Sequence, residues 1–140
     1  MLKPALALFL FLSVFAPSLA EAGEQKCPVI NGTYKRVVET KDKIIIQRIR
    51  HYTRQEGRVV SYTYDESGNF QRADGVAKPL RMGNRIGKGT ILCEEGRVIF
   101  LAQEDGSEQI NRVEMSVLNE WEIEVRYNLL PGRTGIYTKE

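Results

Sequence analysis

Beyond Cys27, apolar and polar residues alternate in short stretches with a period of two, the signature of half-buried β-strands. The clearest case is Trp121, Ile123, Val125 and Tyr127 set between Glu122, Glu124 and Arg126. Turn-forming residues separate these stretches every eight to twelve positions, as in an antiparallel all-β chain. They include Asn31-Gly32, Asp74-Gly75, Gly83-Asn84, Glu95-Gly96, Asp105-Gly106, Asn119-Glu120 and Pro131-Gly132. The pattern predicts strands at 33–39, 43–53, 58–64, 70–73, 89–94, 97–103, 110–117, 121–128 and 134–139, eight or nine in all. Over 42–55, Ile45, Ile49 and Tyr52 also recur at helical spacing, with Asp42 and Gly57 placed to cap. The β-branched run Ile44-Ile45-Ile46 favours a strand there, because such side chains lose rotamer freedom in a helix.

Two hairpins are specific enough to assign faces. A two-residue turn at Glu95-Gly96 pairs Cys93 with Val98 and Ile91 with Phe100, so that Ile91, Cys93, Val98 and Phe100 share an inward face. In the next hairpin a three-residue loop, Leu118-Asn119-Glu120, matches the face of Trp121, Ile123 and Val125 to that of Val117, Met115 and Val113.

The first 22 residues break the pattern. One positive charge at Lys3 precedes an apolar run from Ala5 to Phe15, which closes on Pro17, Ser18 and small residues. That order is the order of a secretory signal peptide, and the run is shorter than the roughly 20 residues that span a bilayer. Cleavage is expected after Ala20 or after Ala22, leaving one β-barrel domain at 23–140 with no transmembrane anchor. The residues before Cys27 do not form a lipoprotein signal. Export, to the periplasm or outside the cell, makes a Cys27–Cys93 bridge the expected state of the two cysteines. Closing so long a loop stabilises a fold by on the order of 4 kcal/mol.

Composition narrows the remaining choices. With 42% hydrophobic and 27% charged residues in 140, the chain suits one packed domain and not a disordered tail. Its 20 basic and 18 acidic residues give a net charge of +2, which offers no field for nucleic acid. His51 is the sole histidine, no Gly-x-Ser-x-Gly occurs, and both thiols are expected to be bridged, so the reading is a protein that is not an enzyme and His51 a surface strand residue. Glu120, Glu122 and Glu124 read as a solvated face beside Arg112 and Arg126. The segment Asp65 to Asn69 lacks the spacing of a calcium loop and reads as a turn, so no metal or cofactor is expected. Gly83 to Thr90 fails the P-loop spacing. It reads instead as part of a flexible cationic loop with Lys78, Arg81, Arg85 and Lys88. Asn31-Gly32-Thr33 matches a glycosylation sequon and reads equally well as a turn into a strand.

A meander of strands without crossover helices closes most economically as an antiparallel up-and-down barrel, which leaves no exposed edge. Gly32-Thr33-Tyr34 at the start of the first strand resembles the Gly-x-Trp signature of the lipocalin and fatty-acid-binding protein superfamily, with Tyr34 in place of the tryptophan. The resemblance implies a basic residue, Arg126 or Arg133, packed over that aromatic ring. It also implies a closed end plugged by the N-terminal segment and a cup for a small apolar ligand. Tyr62, Tyr64, Phe70, Phe100, Trp121 and Tyr127 are then the candidate aromatic lining, with Arg81, Arg85 and Lys88 at the mouth for an anionic head group such as a fatty-acid carboxylate. The expected function is an exported, non-enzymatic ligand-binding protein. The alternatives are a protein-binding module or enzyme inhibitor acting through 78–88, and an envelope protein without a small ligand. A measurable cavity separates the first from the others.

Overall fold

The computed structural model describes residues 27–63 and 69–140. The expected signal peptide with its cleavage sites, Tyr64 and most of the expected turn at Asp65 to Asn69 lie outside these residues. The described chain is all-β and antiparallel, in eleven strands: β1 (Gly32–Glu39), β2 (Ile44–His51), β3 (Thr53–Glu56), β4 (Val59–Thr63), β5 (Phe70–Arg72), β6 (Lys78–Met82), β7 (Arg85–Glu94), β8 (Arg97–Glu104), β9 (Asn111–Val117), β10 (Glu122–Tyr127) and β11 (Gly135–Lys139). A single 3-10 turn, Pro131–Arg133, precedes the last strand. Among the described residues no helix is long and apolar enough to cross a membrane.

Eight strands form one sheet in the order β2-β1-β11-β10-β9-β8-β7-β6, and three form a second in the order β3-β4-β5. From β6 to β11 each strand lies beside its successor, and β11 then pairs with β1, which sets the first and last strands of the described chain side by side. The large sheet has β2 and β6 as its edges, and from both the chain runs into the small sheet. β2 leads to β3 across a single residue, Tyr52, whose backbone N–H donates to Thr63 Oγ1 (2.9 Å) and whose carbonyl accepts from the Thr63 N–H (3.0 Å). On the other side the Gly75 N–H donates to the Ile91 carbonyl, holding the segment between β5 and β6 against β7.

The inward faces meet in one core. Tyr34, Ile49, Tyr62, Ile91, Val98, Phe100, Met115, Ile123, Val125 and Tyr137, together with Ile30, form a single buried cluster drawn from eight strands of both sheets. Burial of this kind contributes about 25 cal/mol per Å² of apolar surface and is what curls the sheet over its own face. The expected Cys27–Cys93 bridge is present, joining residues 66 apart in sequence. It anchors the N-terminal segment beside the β7–β8 turn. There Tyr62 donates its hydroxyl proton to the Pro28 carbonyl, and Thr53 Oγ1 exchanges hydrogen bonds with the Ile30 backbone.

The β7–β8 hairpin has the pairing that its alternation predicts, with Cys93 opposite Val98 and Ile91 opposite Phe100. Its turn residues Glu95 (φ 52°) and Gly96 (φ 79°) are both left-handed, as a type I′ turn requires. The stretch 43–53 is extended, so the helical spacing there is overruled by its β-branched run.

Three expectations need correction. The β9–β10 register is two residues off: Ile123, Val125 and Tyr127 face Val117, Met115 and Val113, and the loop spans 118–121. Asn119 causes this, since its Oδ1 accepts from the Trp121 N–H and its Nδ2 donates to Glu122 Oε1, drawing Trp121 into the turn. The cationic segment 78–88 is not a flexible loop but the β6–β7 hairpin, turning at Gly83-Asn84. Gly87 and Gly89, which read as loop residues from composition, are buried inside β7. Lastly, His51 is not on the surface. It ends β2 on the inward face, half-buried, with its ring 5.1 Å from that of Phe100.

Candidate functional site

Strand register puts the site at one end of the large sheet. Phe100 on β8 lies opposite Val113 on β9, which lies opposite Tyr127 on β10, so these three make an inward row across three strands. One step beyond it Ala102 pairs with Asn111, and on the core side Val98 pairs with Met115. His51 crosses from β2 to face Phe100, while Tyr62 of the small sheet meets the same ring edge-on at 5.9 Å. Between them lies a chamber of about 190 Å³, lined by Phe100, Val113, Met115 and Ala102 and by the polar side chains of His51, Asn111 and Tyr127. A second hollow of about 380 Å³ adjoins it, bounded by Arg85, Glu104, Ser107, Gln109, Leu129 and Leu130. Ala102 and Asn111 line both, so they form the neck between an inner chamber and an outer mouth.

The polar groups of the chamber have defined states. His51 Nδ1 lies 3.0 Å from the Thr63 carbonyl, which can only accept, so this nitrogen carries the proton. Burial pushes the His51 pKa down against the opposing pull of that carbonyl, so the ring is neutral at neutral pH and Nε2 is a hydrogen-bond acceptor. Asn111 Oδ1 is buried and accepts no hydrogen bond in the structure. An acceptor left in this way costs about 1–3 kcal/mol, which marks it as a position where a donor would be welcome. Burial, partly offset by the charge of Arg133, raises the Tyr127 pKa and keeps the phenol protonated. The Arg133 guanidinium stands 5.5 Å over the Tyr127 ring and donates to the Arg48 carbonyl. The rim is braced by Asn128, which accepts from the Arg112 N–H and donates to the Ile110 carbonyl.

The opposite side of this end is filled. Arg36 Nη1 donates to Gln47 Oε1 and to the Gly132 carbonyl, and Gln47 Nε2 donates to the same carbonyl. Gly135 lies against them, and a Cβ at that position would displace the Arg36 guanidinium. The side chains of Arg36 and Gln47 thus occupy the space below β1 and β2, and the chamber lies under β8, β9 and β10.

Of the residues singled out in the sequence, Phe100 and Tyr127 meet in the chamber and Arg85 reaches the mouth, where Glu104 pairs with it at 3.5 Å. The others lie elsewhere. Tyr62 is fully buried in the core against Pro28. Phe70 lies under the Arg54 guanidinium, 4.4 Å away, in a separate groove that also holds Arg81. Lys88 is exposed on β7. Trp121 is 59% exposed in the β9–β10 turn, so it does not line the interior. Arg126 pairs with Glu124 at 3.3 Å, as a solvated outer face requires. Sequence alone weighs His51 for catalysis and puts it on the surface, and it passes over Asn111, Val113 and Met115 as site residues, although period-two counting from Phe100 and its partners already puts 111, 113 and 115 on one face. Among the described residues no group of three or more His, Cys, Asp or Glu side chains is placed to hold a metal ion.

Compared with known proteins, the chain matches no family model, no curated protein and no solved structure.

Proposed function

We propose that this protein is an exported, non-enzymatic carrier of a small, mostly apolar ligand, built on a lipocalin-like plan in which the three-stranded sheet covers the gap between β2 and β6. The observation that carries the reading is the inner chamber: an aromatic and aliphatic hollow with a few polar groups and a neck to the outside, the usual composition of a small-molecule site. Export is supported by the order of charge, apolar run and small residues at the N-terminus and by the Cys27–Cys93 bridge, which belongs to oxidising compartments. A carboxylate head group at the mouth finds little support, since Arg85 is paired with Glu104 and Arg81 and Lys88 do not converge on it. Affinity in this reading comes from burial.

The test is native mass spectrometry of the protein purified from its own host. The expected result is a bound small mass in the wild type and none in Ala102→Phe, whose ring fills the neck. A bare wild-type mass, with no thermal stabilisation by any of a panel of small apolar compounds, would remove the carrier reading. N-terminal sequencing of the same material should begin at Glu21 or Gly23.

One observation favours a protein partner instead. β6 is an edge strand, and Ile86 of the same hairpin is 58% exposed among Arg81, Arg85 and Lys88, so the hairpin offers a cationic edge for strand addition. Charge reversal at Arg81 and Lys88 separates the two readings: it abolishes capture of a protein partner and leaves the chamber unaffected.

A further inference from the structure

Resting on the carrier reading, the geometry of the chamber points to a ligand class: an uncharged aromatic ring bearing a hydroxyl donor, a phenol and not a carboxylate. Three observations converge on it. The first is size. The chamber holds about 190 Å³, and an engineered apolar cavity of about 150 Å³ takes up benzene, so one substituted ring fits. The second is the walls. The Phe100 and Tyr127 rings and the Met115 thioether surround the space, and these favour an aromatic guest through edge, face and sulfur contacts. The third is polarity. Asn111 Oδ1 is buried without a donor, and the His51 proton on Nδ1 is committed to Thr63, which leaves its Nε2 lone pair. Of the three polar side chains of the chamber, His51 and Asn111 therefore present acceptors, and the Tyr127 phenol brings a single hydroxyl. A carboxylate brought among them forfeits its hydration and meets the lone pairs of His51 and Asn111 with one hydroxyl to set against them, whereas a neutral hydroxyl satisfies the orphaned acceptor.

No lysine or arginine among the described residues lines the inner chamber to reverse this preference. The Arg133 guanidinium lies over the Tyr127 ring, its Nη2 bonded to the Arg48 carbonyl and its Nε buried without an acceptor, but it is not among the side chains that line the chamber. At the mouth the charge of Arg85 is offset by Glu104. The Asn111 amide at the neck would thus act as the specificity-determining contact, reading whether the guest carries a donor, while the rings hold its body.

Titration calorimetry with phenol, toluene and benzoate on the full disulfide-bonded protein at neutral pH is the test. The three probes have similar size and differ in the group offered to Asn111. Phenol is expected to bind about tenfold more tightly than toluene, as one hydrogen bond to a buried acceptor allows, and benzoate not to bind measurably. In Asn111→Leu the phenol preference should vanish while toluene binding persists. Asn111→Ala provides the same comparison if leucine disturbs the strand. Benzoate binding as tightly as phenol, or a phenol preference that survives both substitutions, overturns the ligand class and leaves the carrier reading standing. Failure of all three probes to bind overturns both.

Discussion

At the scale of single residues, His51 ties stability to pH. Its pKa in the folded protein lies below the ordinary 6.5, because burial disfavours the imidazolium more than the Thr63 carbonyl supports it. As the pH falls through 6.5 the unfolded chain takes up a proton before the folded one does, so stability is intact above that pH and declines below it until the lowered folded pKa is passed. His51→Asn keeps a donor for Thr63 and removes the titration. Chemical denaturation at several pH values should therefore show a flatter profile for the variant just below 6.5, and identical slopes would contradict the buried placement of the ring. Tyr62 makes a second case. Burial raises its pKa, and its hydroxyl is the donor to the Pro28 carbonyl. Tyr62→Phe should cost about 1 kcal/mol, the value of one buried hydrogen bond, measured by the same denaturation, without opening the disulfide.

Among elements, the turns decide most. Glu95 adopts a left-handed conformation at the first position of its type I′ turn, where a side chain other than Asn or Gly is strained by about 1–2 kcal/mol. Glu95→Asn is expected to raise stability by about 1 kcal/mol in equilibrium denaturation; no gain would mean that the turn is relaxed around the glutamate. The same element shows what the sequence makes legible. Alternation of period two located β8 and β10 and assigned the faces of Ile91, Cys93, Val98 and Phe100 correctly. It passed over β6 and the first half of β7, because Pro79, Gly83, Gly87 and Gly89 have the composition of a loop, and the burial of Gly87 and Gly89 appears only once the sheet has curled. The register of β10 escaped for a local reason, the hydrogen bonds of Asn119, which shift the pairing by two residues without changing either face. The site was legible by half. Phe100 and Tyr127 are aromatic and on inward positions, but His51 reaches them from a strand at the far edge of the sheet, a contact no short-range pattern encodes.

For the whole molecule, one core joins eight strands of two sheets, and the bridge from Cys27 to Cys93 fastens the N-terminal segment to it. Replacing both cysteines by serine should lower the unfolding free energy by about 4 kcal/mol, chiefly by freeing the unfolded chain. A change below about 1 kcal/mol would show that residues 27–31 hold their place by packing alone. Strand alternation fills the core at the disulfide end and leaves the inner chamber at the other, beneath Phe100, Val113 and Tyr127, and the carrier function depends on that chamber being a binding site. Met115 lines it and reports on it directly. Methyl NMR of protein labelled at methionine, titrated with phenol and toluene, is predicted to show a saturable shift of the Met115 resonance in the wild type that is absent from Ala102→Phe. A Met115 resonance that stays in place at saturating probe would contradict a ligand in the chamber.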